Sequence, residues 1–283
     1  MIVQLAAAAL ASMTMVQEVD TTFAVSADSH LELYNHVGTV TVDTWDRDEL
    51  RVRARWDEGR RPIAIRTTDK SVRVRVEPRD AGLPYVEFDI TTPRWMSVAV
   101  QGVELSARID ETSGNVRVQS VEGAVDVNGG RGNVSLQIVD GPVTVRNAEG
   151  KISVNAVDGT VTITDSQGPV RIESVDGDVT LRGIDSDDVS VNVVDGNVVY
   201  AGTIRDDGRY FLSTHDGDLD VTIPRNANVR VSVATFDGDL VSDIPIQLEG
   251  DVSQKRFSFT IGTGRALMDL SSFDGEIRLT REQ

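Results

Sequence analysis

The sequence predicts an all-β chain, a parallel β-solenoid of nine-residue units paired into eighteen-residue coils, with a β-rich N-terminal cap. Three observations lead there. Glycines recur in steps of nine, at Gly114, Gly123, Gly132, Gly141, Gly150, Gly159, Gly168 and Gly177. Each is followed by one variable residue and then apolar, polar, apolar, as in Gly159-Thr160-Val161-Thr162-Ile163. Such period-two alternation marks a strand with one buried face, and the preceding glycine marks a bend that needs a permissive backbone. Finally, aromatic residues make up only 5% of the chain while Val, Ile and Thr recur, which suits thin sheets of β-branched side chains. Self-similarity at a fixed period is the signature of a stacked repeat.

The elements follow in chain order. Residues 1–16, MIVQLAAAALASMTMV, carry no charge, and Ala9-Leu10-Ala11 resembles a cleavage site. This reads as the apolar region of a signal peptide, although no Lys or Arg precedes it. It is short for a membrane span, and no second apolar segment follows, so an integral membrane protein is not expected. Residues 17–95 form the expected cap, strand-rich but irregular, as in Leu31-Glu32-Leu33 and Val72-Arg73-Val74-Arg75-Val76. They hold all three tryptophans, Trp45, Trp56 and Trp95. Residues 96–283 form the solenoid, and the absence of a Ser/Gly or Pro-rich linker makes cap and solenoid one structural body.

Within the solenoid the units come in two kinds. Those starting at Gly114, Gly132, Gly150 and Gly168 end in an apolar residue and an acid, such as Val157-Asp158. The others place Gly129, Asn147, Asp165 and Gly183 six residues on, types that tolerate a left-handed backbone. The inward set includes Val116, Val118, Val134, Leu136, Val143, Val145, Val161, Ile163, Val179 and Leu181. The pattern continues with insertions through Asp187, Gly196, Gly208 and Gly217 to Phe236-Asp237-Gly238 and Phe273-Asp274-Gly275. Counted from Met96 there are about nine coils, a stack roughly 40 Å long. Arg278, Arg281 and Glu282 then put charge on the last strand, where an open edge needs protection.

Charge and residue types exclude several functions. Net charge is −17, from 28 basic and 45 acidic residues, so a phosphate backbone is repelled and nucleic acid is not an expected partner. Without cysteine there are no disulfides, thiolates or Cys-ligated zinc. His30 and His36 lack a partner at metal-ligand spacing, and His215 holds a corner position filled elsewhere by Val or Phe, so it is expected to be packed. No nucleophile triad or phosphate loop appears. The expectation is therefore no enzyme, no cofactor and no metal. The corner acids Glu122, Asp140, Asp158, Asp176, Asp195, Asp216, Asp237 and Asp274 form a ladder, but the Gly-Gly-x-Gly-x-Asp loop of calcium rolls is missing. Asp158, Asp176 and Asp195 with the corner glycines are read as turn residues, the carboxylate accepting backbone N–H groups. An outward row, Gln101, Gln119, Gln137, Asn155, Glu173 and Asn192, is read first as an amide ladder. Gln119, Gln137 and Asn155 are the candidate binding face. A row of Thr144, Thr162 and Thr180 is interrupted by Asp126, Arg146 and Arg182, and reads as β-branched residues on an exposed strand.

Some motifs carry a family likeness. They are Val-Asp-Gly-x-Val at 157–161, 175–179 and 194–198, Thr-x-Pro-Arg at 91–94 and 222–225, and Gly262-x-Gly264 before Ser272-Phe273-Asp274-Gly275. Trp45-Asp46-Arg47 followed by Val52-Arg53-Ala54 belongs with them. The chain resembles the bacterial putative-adhesin families, whose members form β-helical stacks and are usually exported. That resemblance implies a non-catalytic exported envelope or cell-surface protein, in the periplasm, at the surface or secreted. It would bind or scaffold through an extended repeat surface, with an envelope protein or a glycan as partner. Relatives near envelope-stress regulators imply an alternative, a signalling module that binds one protein. A glycan-active β-helix enzyme is a further alternative, but the carboxylates sit on repeating corners rather than paired in a cleft.

Overall fold

The structure, a computed structural model, describes residues 17–57, 61–78, 82–247, 249–251 and 256–282. The signal peptide expected over 1–16 lies outside the described residues.

The Asp-Gly corners do not close hairpins. Each middle coil supplies a long strand and a short one, and each strand pairs in parallel with its counterpart one coil away. The long strands run Val116–Glu122, Val134–Asp140, Ile152–Asp158, Val170–Asp176, Asp188–Asp195 and Arg209–Asp216. The short ones run Val125–Asn128, Val143–Arg146, Val161–Thr164, Val179–Ile184, Val198–Gly202 and Leu219–Ile223. Register is like on like: Val134 faces Val116 on one side and Ile152 on the other. This parallel β-solenoid is the fold predicted from the period. All ten predicted inward residues are buried, in one apolar layer between the two ladders. The large side chains in that layer include Tyr200 and Tyr210, with ring centroids 5.9 Å apart, where insertions lengthen the coil. Their hydroxyls donate to the Thr203 and Ser186 carbonyls, both at 2.7 Å, so burying them leaves no orphan donor.

Both ends are built out of chain order. His30–Trp45 is a single long strand spanning both faces, in parallel register with Ser97–Asp110 from His30↔Ser97 to Val42↔Ile109. On its other side lie Ser71–Val76 on one face and Tyr85–Pro93 on the other, also parallel. These two coils precede the region in which the nine-residue period is legible, and the parallel ladder crosses residue 96 without a break. Antiparallel strands then stop it: Ile63–Thr67 on one face, and Glu49–Trp56 followed by Gln17–Ala24 on the other.

At the other end, Ala266–Asp274 inserts between Arg209–Asp216 and Val229–Thr235. Ile277–Arg281 likewise inserts between Leu219–Ile223 and Leu240–Ser242. The charges expected to guard an edge are therefore misplaced by that expectation, because the last strand in sequence is interior to the stack. Arg278 instead pairs with Asp220 at 2.9 Å across the ladder. Growth stops at the short strand Leu240–Ser242 on one face and at antiparallel Arg256–Ile261 and Glu249–Asp251 on the other.

Candidate binding surface

The corners are set by glycine. Gly123, Gly141, Gly159 and Gly177 hold φ between 123° and 132°, and Gly150 and Gly168 hold 137° and 105°. Gly114 and Gly132 are not in that region. At Gly159 there is a second constraint, since a Cβ would run into the carbonyl oxygen of Gly141 one coil away. The coils touch there because the Gly159 N–H donates to the Asp176 carbonyl at 3.1 Å, as Gly141 does to Asp158 at 3.0 Å. Asp158, Asp176 and Asp195 thus join the turn ladder through their backbones. Their carboxylates are exposed and take no turn hydrogen bond among the described residues, which corrects the expected side-chain role. Backbone N–H groups are instead accepted by Asn115, Asp178 and Asp218 among others, each one position past a glycine and catching the next coil at 2.7–2.8 Å. At the opposite corner Gly129, Asn147, Asp165 and Gly183 take the left-handed backbone expected of them, and Glu111 heads the same column with φ 56°.

Three rows lie side by side on the outward face of the long strands. In the first, Gln101, Gln119, Gln137, Asn155, Glu173 and Asn192 are in register coil to coil. Gln119 donates to Gln137 through its side chain, one link of an amide ladder. Glu173 turns instead to Arg171 at 2.6 Å. At the N-terminal end the row continues into Tyr34 and Arg75, whose guanidinium lies 5.0 Å over the Tyr34 ring.

The second row is apolar. Val103, Val121, Val139, Val157, Val175 and Val194 are each 41–50% exposed. The residues that flank them pair coil to coil, Ile138↔Ser120 and Asp140↔Glu122 for example, so the valines fall in line. His215, Phe273 and Phe236 extend the line, with both neighbouring ring pairs stacked at 4.6 Å. Phe236 ends it at 69% exposure. His215, expected to be packed, is exposed apart from that stacking, because the whole corner row faces solvent. Parity explains it: with residues 134, 136 and 138 inward, 139 must point out. The third row is the exposed carboxylates of Glu122, Asp140, Asp158, Asp176, Asp195, Asp216 and Asp274, none in an ion pair among the described residues.

Residues 29–280 match the family model described as Toastrack DUF4097. The chain belongs to that family. A search of curated proteins found no match. Among solved structures, this Toastrack chain is similar to a "putative cell adhesion protein" from Clostridium sporogenes ATCC 15579, at 10% identity and TM-score 0.25. That match covers 95% of this chain and 100% of the other. It is also similar to a "putative adhesin" from Bacteroides fragilis NCTC 9343, at 11% identity and TM-score 0.31, covering 93% and 97%.

Elsewhere on the Toastrack surface several charges are held in ion pairs. At the N-terminal edge Arg51 grips Asp20 with bonds of 2.8 and 2.5 Å, holding that carboxyl down at about 2. Asp185 is lowered in the same way by Arg205. Trp56 is buried, while Trp45 donates to the Glu49 carbonyl at 2.6 Å and Trp95 to Asp48 at 3.2 Å. His30 bonds Glu32 at 3.2 Å. Among the described residues, no group of three or more His, Asp or Glu is placed to hold a metal ion, and no helix is long and apolar enough to cross a membrane.

Proposed function

We propose that this Toastrack chain is a non-catalytic protein, exported to the envelope or cell surface, that binds or scaffolds through the outward face of its long strands. One observation carries the reading: the Gln119–Gln137–Asn155 row repeats one chemistry coil after coil in strict register on a hydrogen-bonded frame. Repeated weak contacts on a rigid body gain strength through multivalency, so no single residue need dominate. The partner is an envelope protein or a glycan. Export rests on the uncharged start of the sequence, and mature protein should lack roughly the first eleven to sixteen residues by N-terminal sequencing.

The test is capture from envelope extract by the full chain. Gln119→Ala alone should weaken capture less than about twofold, and the triple change with Gln137→Ala and Asn155→Ala more than about tenfold. If the triple variant captures normally and Trp95→Ala alone abolishes capture, a single aromatic anchor at the N-terminal end does the binding and the signalling-module reading replaces this one.

A further inference from the structure

We infer that the valine row and the carboxylate row beside it form a docking ridge for a cationic amphipathic helix of a partner protein. The inference deepens the surface-binding reading by naming a partner's chemistry, and it rests on rows other than the amides. Exposed apolar residues scattered singly need no explanation, but a contiguous line running from Val103 to Phe236 does. The line ends in Phe236, the most exposed large hydrophobic side chain described.

The neighbouring row decides the occupant. Glu122, Asp140, Asp158, Asp176, Asp195 and Asp274 each follow an exposed Val or Phe by one residue, Asp216 follows His215, and none of these seven is in an ion pair among the described residues. A second copy of this chain would bring an identical acid row to the same rim, on a body already at −17, so self-association along the ridge is opposed. A partner with Lys or Arg bordering its apolar face meets both rows at once. Spacing selects the helix. Coils repeat at about 4.8 Å, and a helix returns to the same side every 5.4 Å or so, a mismatch of about 0.6 Å per step. An extended strand returns only every 6.8 Å or so, about 2 Å out at each step. Four or five turns of helix can therefore place one apolar and one basic residue on each successive coil.

The probe is a synthetic leucine–lysine amphipathic helix about five turns long, labelled and titrated with the full chain by fluorescence anisotropy. Its control is a scrambled peptide of the same composition with no apolar face. The triple variant Val139→Thr, Val157→Thr and Val175→Thr keeps β-branched shape and charge, so it folds and tests the apolar row alone. It should bind the probe at least tenfold more weakly. Asp158→Asn with Asp176→Asn should weaken binding and flatten its salt dependence, whereas Asp187→Asn with Asp188→Asn, at the far end of the strand, should change it less than twofold. The proposal is overturned if the threonine variant or the scrambled peptide binds like the original pair, which would mean attraction by net charge alone. It is also overturned if sedimentation shows a dimer that Phe236→Ser dissociates. Unchanged probe binding by the Gln119, Gln137 and Asn155 triple variant separates this proposal from the amide-row reading, since each can then fail alone.

Discussion

At the scale of single residues, the corner glycines differ in how much each is constrained, and the difference is measurable. Gly159 combines φ 128° with a neighbouring carbonyl that leaves no room for a Cβ. The obstacle is backbone, fixed by hydrogen bonds above and below, so it cannot yield cheaply. Gly159→Ala should cost roughly 3 kcal/mol or more in urea denaturation, from strained φ and the displaced coil together. Gly132 looks equivalent in the sequence period, but it lies outside the positive-φ region, and what a Cβ meets first there is the Asn115 side chain. Gly132→Ala should therefore cost nearer 1 kcal/mol. Equal costs at the two sites would mean that the period, not the local geometry, sets the requirement. The valine row teaches a related lesson. Val139 was readable as outward from the parity of Val134, Leu136 and Ile138, yet an apolar residue at a corner invites the opposite reading. The carboxylates of Asp158 and Asp176 were likewise misread, because Asp-Gly is good turn chemistry whether or not the side chain takes part.

Among the elements, the middle coils were legible and the ends were not. From Gly114 to Gly177 each coil stacks on its chain neighbour, so sequence period and spatial order coincide. At the C-terminal end they part: Ala266–Asp274 lies between strands that both precede it. No local pattern reports an insertion of that kind, since the strand's alternation is the same wherever it docks. His30–Trp45 read as strand within an irregular cap, and its place as a coil of the parallel stack was hidden for another reason, the lack of an Asp-Gly corner between its two halves. The insertion has a consequence. A chain ending at Arg265 removes an interior coil, not an outer one, and leaves Val229–Thr235 with nothing to join it to Arg209–Asp216. Stability in a stack is a sum of neighbour terms, so limited proteolysis should cut freely across 224–261 while 116–202 stays protected. A uniform fraying from the new end alone would contradict the inserted order. The opposite edge has its own signature. Asp20 is depressed in the folded state relative to an unfolded value near 3.9, so its contribution is present above about pH 4 and lost as pH falls towards about 2. Amide exchange of Gln17–Ala24 should accelerate through that window, and Asp20→Asn should exchange at the faster rate at neutral pH as well.

Across the whole molecule, the carboxylate row sets stability against use. Parallel like-on-like register gives efficient packing inside, where Val on Val is favourable, and the same register outside puts acid beside acid. Asp158 has Asp140 on one side and Asp176 on the other, each about one strand spacing away. Two unit charges at that range repel by about 1 kcal/mol even in a water-like dielectric. None of these carboxylates is in an ion pair among the described residues, and the expectation is that mobile ions in solution screen the repulsion. Asp158→Asn should then stabilise the fold by up to about 1 kcal/mol in low salt, and the gain should shrink as sodium chloride approaches 0.5 M or so and the screening length falls below the spacing. A chelator should leave both the β-sheet circular dichroism and the melting midpoint unchanged. If chelation instead lowers the midpoint and Asp158→Asn is destabilising, the row holds cations in solution and the ridge would meet a partner already neutralised. If the predicted gain is found, the chain retains a row of charges that works against its own folding, as a surface kept for binding does.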